Sequence, residues 1–457
     1  MIKIFHLQVD LTKDHILKSI LIFAIPILIS NIFQQLYNTA DTMIVGNYLG
    51  DTSLAAIGAS SAIYDLLVGF SLGVGNGFSI VAARHFGAKN DELLKQSVAG
   101  ALIIGGLFTA LMMILGFIGV YPLLTLLNTP VHIIEEAYSY IYIIILFIGI
   151  MFAYNLFAGL LRAIGNSFIP LIFLILSSLI NILLDYLFIA QFHSGIQGAA
   201  IATVIAEGIS CLLCLLYIYF KVPQLIPERQ HFHFQKNLYQ ELLGQGFSMG
   251  FMMAIVSSGT VILQKAINHF GFLTIAGHTT ARKINAFCMM PATTLSTSLA
   301  TFVSQNRGAN QRQRIKDGVK ICFQILFVWA MLISIIMYFG AKPLVEIISG
   351  SSQLEVINTG SKYLILNAPF HFILGVLLIL RNALQGLGMK IVPLISSVIE
   401  FVGKIIFATF FIGYLGYFGV IICEPVIWCM MCIQLLYSFY NNSYIKMSQS
   451  EDDFEVA

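Results

Sequence analysis

The residues best placed to do chemistry lie in the run Gln34-Gln35-Leu36-Tyr37-Asn38-Thr39-Ala40-Asp41, inside an otherwise apolar stretch that begins at Ile16. On a helix, Gln34, Asn38 and Asp41 stand at i, i+4 and i+7 and share one face, with Tyr37 one turn before Asp41. A carboxylate at the centre of a bilayer costs roughly 2.5–3.5 kcal/mol even on a lenient scale, so Asp41 must face a cavity or a partner. A second stretch offers the partner. Asp185 closes Ser177-Ser178-Leu179-Ile180-Asn181-Ile182-Leu183-Leu184-Asp185, with Asn181 one turn earlier on the same face. Two carboxylates withdrawn from water in one site either share protons or present hard oxygens to a small cation. The pair therefore reads as a protonation or cation switch, and its structural alternative is interhelical hydrogen bonding alone.

The elements that must position these groups are membrane spans. The 457 residues are 58% hydrophobic and only 10% charged, against about 25% charged in soluble domains. The fold class is therefore all-α and polytopic. Runs long enough to cross about 30 Å of hydrocarbon fall at 16–45, 53–83, 95–119, 131–160, 168–190 and 196–220, then at 240–268, 274–304, 318–340, 353–383, 391–413 and 417–441. These are twelve transmembrane helices in two groups of six. They divide the chain into an N-terminal lobe (1–220), a cytoplasmic linker (221–239) containing Pro223, Pro227 and Glu228, a C-terminal lobe (240–441) and a cytoplasmic tail (442–457). The acidic end of the tail, Glu451 to Glu455, is expected to be disordered. Most Lys and Arg fall in the N-terminus, the even-numbered loops and the C-terminus, whereas the opposite loops hold Lys342 and Lys362. The positive-inside rule then places both termini in the cytoplasm, with no cleavable signal peptide.

The halves resemble each other. Arg84-His85-Phe86-Gly87-Ala88-Lys89-Asn90 answers Gln305-Asn306-Arg307-Gly308-Ala309-Asn310-Gln311, Gly50 answers Gly271, and Gly165 with Pro170 answers Gly388 with Pro393. The nearly constant offset implies a duplicated six-helix unit. Because six is even, both copies enter the membrane from the same side, as parallel repeats around a central cleft.

The other intramembrane ionisable residues are Asp65, Glu207, Lys265, Arg282, Lys283, Glu400, Lys404 and Glu424. The N-terminal half contributes acids alone. Asn155 in helix 4 and Thr203 in helix 6 offer oxygens to the acidic pair, or serve as interhelical glue. Asp65 and Glu207 are candidates to face the cavity or to pair with tyrosines. Glu400 and Lys404, at i and i+4, are expected to neutralise one another. Lys265 and Lys283 are candidates to meet acidic groups or substrate, snorkelling from a helix end is the blander reading of Arg282 and Lys283, and Glu424-Pro425 is a candidate break in helix 12. Pro26 removes a backbone bond from the first half of helix 1, giving either a static bend or a hinge that responds to occupancy at Asp41.

Several chemistries lack their residues. No P-loop is present, and Gly73-x-Gly75-x-Gly77 lies inside a span rather than after a strand. Cys211-x-x-Cys214 and Cys429-x-x-Cys432 have no polar companions and read as small apolar residues. No nucleophile–base constellation or metal triad points to an enzyme, and no cofactor is implied. The scattered charges of a chain with net +2 make no nucleic-acid face.

Taken together, Gln34-Gln35-x-Tyr37-Asn38-x-x-Asp41, Val45-Gly46, Leu49-Gly50, Arg84 with Gly87-Ala88, and Arg162 with Gly165 and Pro170 resemble the multidrug and toxic compound extrusion (MATE) family. Within it the chain is similar to the DinF-like branch. The resemblance implies a coupling site at Asp41, Asn181, Asp185, Asn155 and Thr203, with Gln34, Tyr37 and Asn38 lining the substrate cavity. It also implies a monomeric secondary antiporter of a bacterial inner membrane that exports amphipathic, often cationic compounds against H⁺ or Na⁺. Other branches carry acids on helices 7 and 10. Here helix 7 has none after Glu241 and helix 10 none after Glu355, so coupling is expected in the N-terminal lobe alone. The rival function is a lipid-linked saccharide flippase of related two-lobe architecture, which calls for a basic cavity.

Overall fold

A computed structural model describes residues 8–127 and 129–446, so the acidic end of the tail lies outside the described residues. Among these, the chain forms helices and no strands. The spans are α1 Ile16–Leu49, α2 Asp51–Gly87, α3 Asp91–Leu126, α4 (Val131–Leu146 continued by Ile148–Ala163), α5 Phe168–Gln191 and α6 Gly195–Lys221. They continue as α7 Lys236–Phe270, α8 Phe272–Gly308, α9 Arg312–Ser349, α10 Leu354–Gly386, α11 Ile391–Leu415 and α12 Tyr417–Tyr440. Several run beyond the apolar windows by one or two polar turns, because capping and packing rather than hydropathy end a helix. Asn90, for example, starts α3 by accepting from the Leu93 N–H at 3.0 Å, with Asp91 and Glu92 in the positive first turn.

Four interruptions carry no clear signal in hydropathy. The two segments of α4 meet at Phe147 with a bend of 50°. Wide π-helical turns follow the regular part of α5 at Tyr186–Gln191 and of α11 at Phe407–Phe411. A 3₁₀ turn, Ala368–Phe370, divides α10 around Pro369.

The repeat is visible in backbone detail. In the turn after α2, the N–H groups of Ala88, Lys89 and Asn90 donate to the carbonyls of Arg84, Phe86 and His85. After α8, those of Ala309, Asn310 and Gln311 donate to Gln305, Arg307 and Asn306 in the same pattern. Lys89 and Asn310 both take left-handed φ, 53° and 55°. Gly165 and Gly388 do likewise at 87° and 72°, a conformation that favours glycine.

The chain divides into two compact units, one of Met1–Asp14 with Leu21–Ala254, the other of His15–Ile20 with Ile255–Ala457. In the first, α2 and the start of α7 pack backbone to backbone. A Cβ on Gly73 would lie 2.6 Å from the Met249 carbonyl oxygen, and one on Gly77 2.5 Å from Gly246 Cα. The glycines of the rejected nucleotide motif thus serve helix packing. Arg84 forms an ion pair with Glu241 in the same helix pair. The polar segment between α6 and α7 also packs onto this unit. Lys95 binds Glu228 at 3.0 Å, His231 meets Glu92 at 3.1 Å, and Leu225 is buried in the apolar core.

Gly77→Ala should therefore lower the melting temperature of the detergent-purified protein, by an overpacking cost of about 1–3 kcal/mol. Gly106→Ala, whose Cβ meets nothing within 4 Å, should leave it unchanged or slightly raised; equal melting curves for the two variants would refute the close contact.

Candidate functional site

Five spans of the first unit enclose a cavity of about 390 Å³. α1 turns Gln34, Tyr37, Asn38 and Asp41 towards it, as their shared helical face requires. α2 supplies Tyr64 and Asp65, α5 Asn181, and α6 Thr203 and Glu207. The two segments of α4 supply Tyr140 from one side of the bend and Tyr154 with Asn155 from the other.

Asp185 stands behind this lining, fully buried (0% exposed) and within interaction range of Asp41. Asn181 is 2% exposed. Both oxygens of Asp185, both polar atoms of the Asn181 amide, and Oδ1 of Asp41 are buried with no donor from the rest of the protein, and the two carboxyls are near enough to share a proton. An unsatisfied buried polar group costs about 1–3 kcal/mol, so such a cluster marks a place where a ligand supplies the missing interactions.

The neighbours complete an acceptor-rich site. Asn155 spends its N–H on the Met151 carbonyl at 2.9 Å, and Thr203 its O–H on the Ala199 carbonyl at 3.1 Å. Each is left with oxygen lone pairs to offer. Two carboxyls, two amides and a hydroxyl suit a proton or a hard monovalent cation. Among the described residues no group of three or more His, Cys, Asp and Glu forms a metal cluster. The π-helical turn starts immediately after Asp185, in keeping with the frequent placement of such turns at functional sites.

The structure thus brings together Gln34, Tyr37, Asn38, Asp41, Asn155, Asn181, Asp185 and Thr203. Pro26 lies outside the lining, and α1 runs through it unbroken. Ser30 donates to the Pro26 carbonyl at 2.9 Å. The tyrosine wall escaped sequence reading, because Tyr64, Tyr140 and Tyr154 sit among ordinary apolar residues and converge only through tertiary packing and the bend in α4.

The second unit treats its charges differently. Glu424 accepts from Arg282 at 2.7 Å and from the Tyr363 hydroxyl at 3.0 Å, with Lys404 at 3.8 Å. Lys404 also donates to Glu400 at 2.9 Å, and Arg381 approaches Glu400 at 3.6 Å. The expected Glu400–Lys404 pair is present. Arg282 does not snorkel: a buried acid one helix away holds it inside the unit. Nor does Pro425 break α12, which is continuous from Tyr417 to Tyr440.

The MatE family model matches residues 26–187 and again 249–410, two segments that begin 223 residues apart. The chain belongs to the MatE family. The double match covers α1 to α5 and α7 to α11, the duplicated parts. This MatE chain is 26% identical over 439 residues to the probable multidrug resistance protein YoeA of Bacillus subtilis, covering 94% of each. It is 27% identical over 361 residues to an FAD transporter of Shewanella oneidensis, covering 77% of this chain and 78% of that one. In fold it matches a MOP superfamily transporter from Pyrococcus furiosus with a TM-score of 0.88 at 23% identity, covering 96% and 98% of the two chains. MatE proteins are multi-pass membrane transporters rather than enzymes, and the comparisons give the flippase reading no support.

Lys404→Met should destabilise this MatE protein by about 3 kcal/mol, because it leaves Glu400 and Glu424 short of a buried partner. A chemical or thermal melt of the purified variant checks this, and wild-type stability would show the network to be dispensable.

Proposed function

We propose that this MatE protein is a secondary active antiporter that exports amphipathic, cationic organic compounds in exchange for H⁺ or Na⁺. One observation carries the proposal. The acids of the first unit stand around a cavity with oxygens unpartnered, while those of the second are matched by bases. Only the first set is free to take up and release a cation.

In this reading Asp41 and Asp185 bind the coupling ion, and Asn181, Asn155 and Thr203 complete its oxygen shell. Gln34, Tyr37 and Asn38 line the substrate path, as in a DinF-like transporter whose coupling rests in the N-terminal half. Ion and substrate load one acidic cavity of the first unit, so occupancy by either disfavours the other, and exchange is obligatory when the empty carrier does not reorient. The multidrug resistance names of relatives support drugs as cargo, and the acidic lining of the cavity favours cationic ones. The FAD transporter among them carries an anionic nucleotide, which here would meet Asp41, Asp65 and Glu207 in one cavity. The same proposal places a monomeric chain in a bacterial inner membrane, in keeping with its Bacillus relatives, with both termini cytoplasmic as the distribution of Lys and Arg suggests.

The decisive experiment is efflux of ethidium from proteoliposomes under an imposed ΔpH or ΔNa⁺. Asp41→Asn and Asp185→Asn should each lose gradient-driven transport by at least tenfold, and wild-type rates in Asp41→Asn would overturn the proposal. Pro26 serves as the hinge of α1, since the lost backbone bond lowers the resistance to bending. Pro26→Ala should slow turnover several-fold while leaving ethidium affinity unchanged; full turnover would remove the hinge from the mechanism.

A further inference from the structure

The wall of the cavity contains a second anionic group that the coupling site does not use. Glu207, on α6 one turn beyond Thr203, lines the cavity, and its Oε2 is buried without a hydrogen-bond partner. It shares the lining with Tyr37, Tyr64 and Tyr154.

Ser178, on α5, adds a second unpartnered group, its hydroxyl, to the lining. It is 4% exposed. Asp65 also borders the cavity and is more exposed than Glu207. No Lys or Arg is among the residues lining the cavity, and the Glu207 carboxylate meets no basic partner there. Aromatic rings beside a buried carboxylate form a recurring recognition environment for organic cations: the carboxylate supplies charge, and ring faces attract a cation that is too bulky or too poorly hydrated for a cage of oxygens. A small metal ion or proton has the opposite preference and favours the oxygen shell at Asp41 and Asp185.

We propose that Glu207, together with the tyrosines Tyr64, Tyr154 and Tyr37 that line the same cavity, is the subsite that recognises the cationic centre of a lipophilic organic substrate, separately from the coupling pair. The inference rests on the exporter reading of this cavity and assigns it a specificity-determining residue. It implies that charge selection and ion coupling are separable by mutation. Cargo loses its charge contact when Glu207 is neutralised, while the coupling carboxyls remain.

Equilibrium binding to the full-length protein in zwitterionic nanodiscs tests this with two probes, tetraphenylphosphonium and the neutral triphenylphosphine oxide. Glu207→Gln should raise the Kd for tetraphenylphosphonium at least tenfold and leave that for the oxide within twofold. Tyr64→Leu should weaken the cation selectively, by a smaller factor, and Asp41→Asn should weaken it less than Glu207→Gln does. A structural role for Glu207 would weaken both probes alike and would overturn the inference. So would unchanged cation affinity in Glu207→Gln, or a wild type with no preference for the cation. If Glu207→Gln does not fold, Glu207→Asp should show an intermediate loss confined to the cation, and equal binding of both probes by that variant counts against the subsite. Failure of the wild type to move ethidium under either gradient would sink the exporter reading, whereas the selective Kd change would still stand.

Discussion

The cost of holding charge in hydrocarbon governs this protein. Every ionisable side chain within the spans must be matched by an opposite charge or given polar space, since an isolated buried ion is too expensive to keep. The two units reach different solutions. In the second, Arg282, Lys404 and Arg381 surround Glu424 and Glu400, and Tyr363 adds a hydroxyl. In the first, Asp41, Asp185 and Glu207 are left incompletely satisfied around a cavity. One arrangement is closed and stabilising; the other has work left for a mobile ion or a cationic guest.

This contrast explains how a duplicated backbone supports an asymmetric device. The turns after α2 and α8 share their hydrogen bonds and left-handed residues, and both fifth spans of the halves carry a π-helical turn. The side chains at matching positions have diverged instead. Ile262 stands where the first half has Asp41, and Lys404 where it has Asn181. Backbone geometry was retained because close glycine contacts and turn conformations tolerate little change. Charge could diverge because a buried pair needs only a complementary partner nearby.

Much of this was legible in the sequence because hydrocarbon imposes simple rules. Span count follows from apolar length, and the pairing of Asp41 with Asp185 follows from two acids that neither helix could afford alone. The polar face of α1 followed from helical spacing. The bend at Phe147 was not legible: no proline marks it, and its effect is to bring Tyr140 and Tyr154 to one wall. Arg282 misled for a related reason. Its position near a helix end suggested an exit to water, but the deciding neighbour, Glu424, lies 142 residues away in the chain. Hydropathy sees neither long-range pairing nor the convergence of tyrosines from separate spans.

The matched turns have a practical consequence for the protein's history and for its rebuilding. Ala88-Lys89-Asn90 and Ala309-Asn310-Gln311 meet the same steric demands with different side chains at the left-handed position. The two connectors share one backbone conformation, so a chimera that swaps them should keep the geometry of both hairpins. A duplication event at this locus would have needed no new turn to be invented, only a change of charge inside the copy.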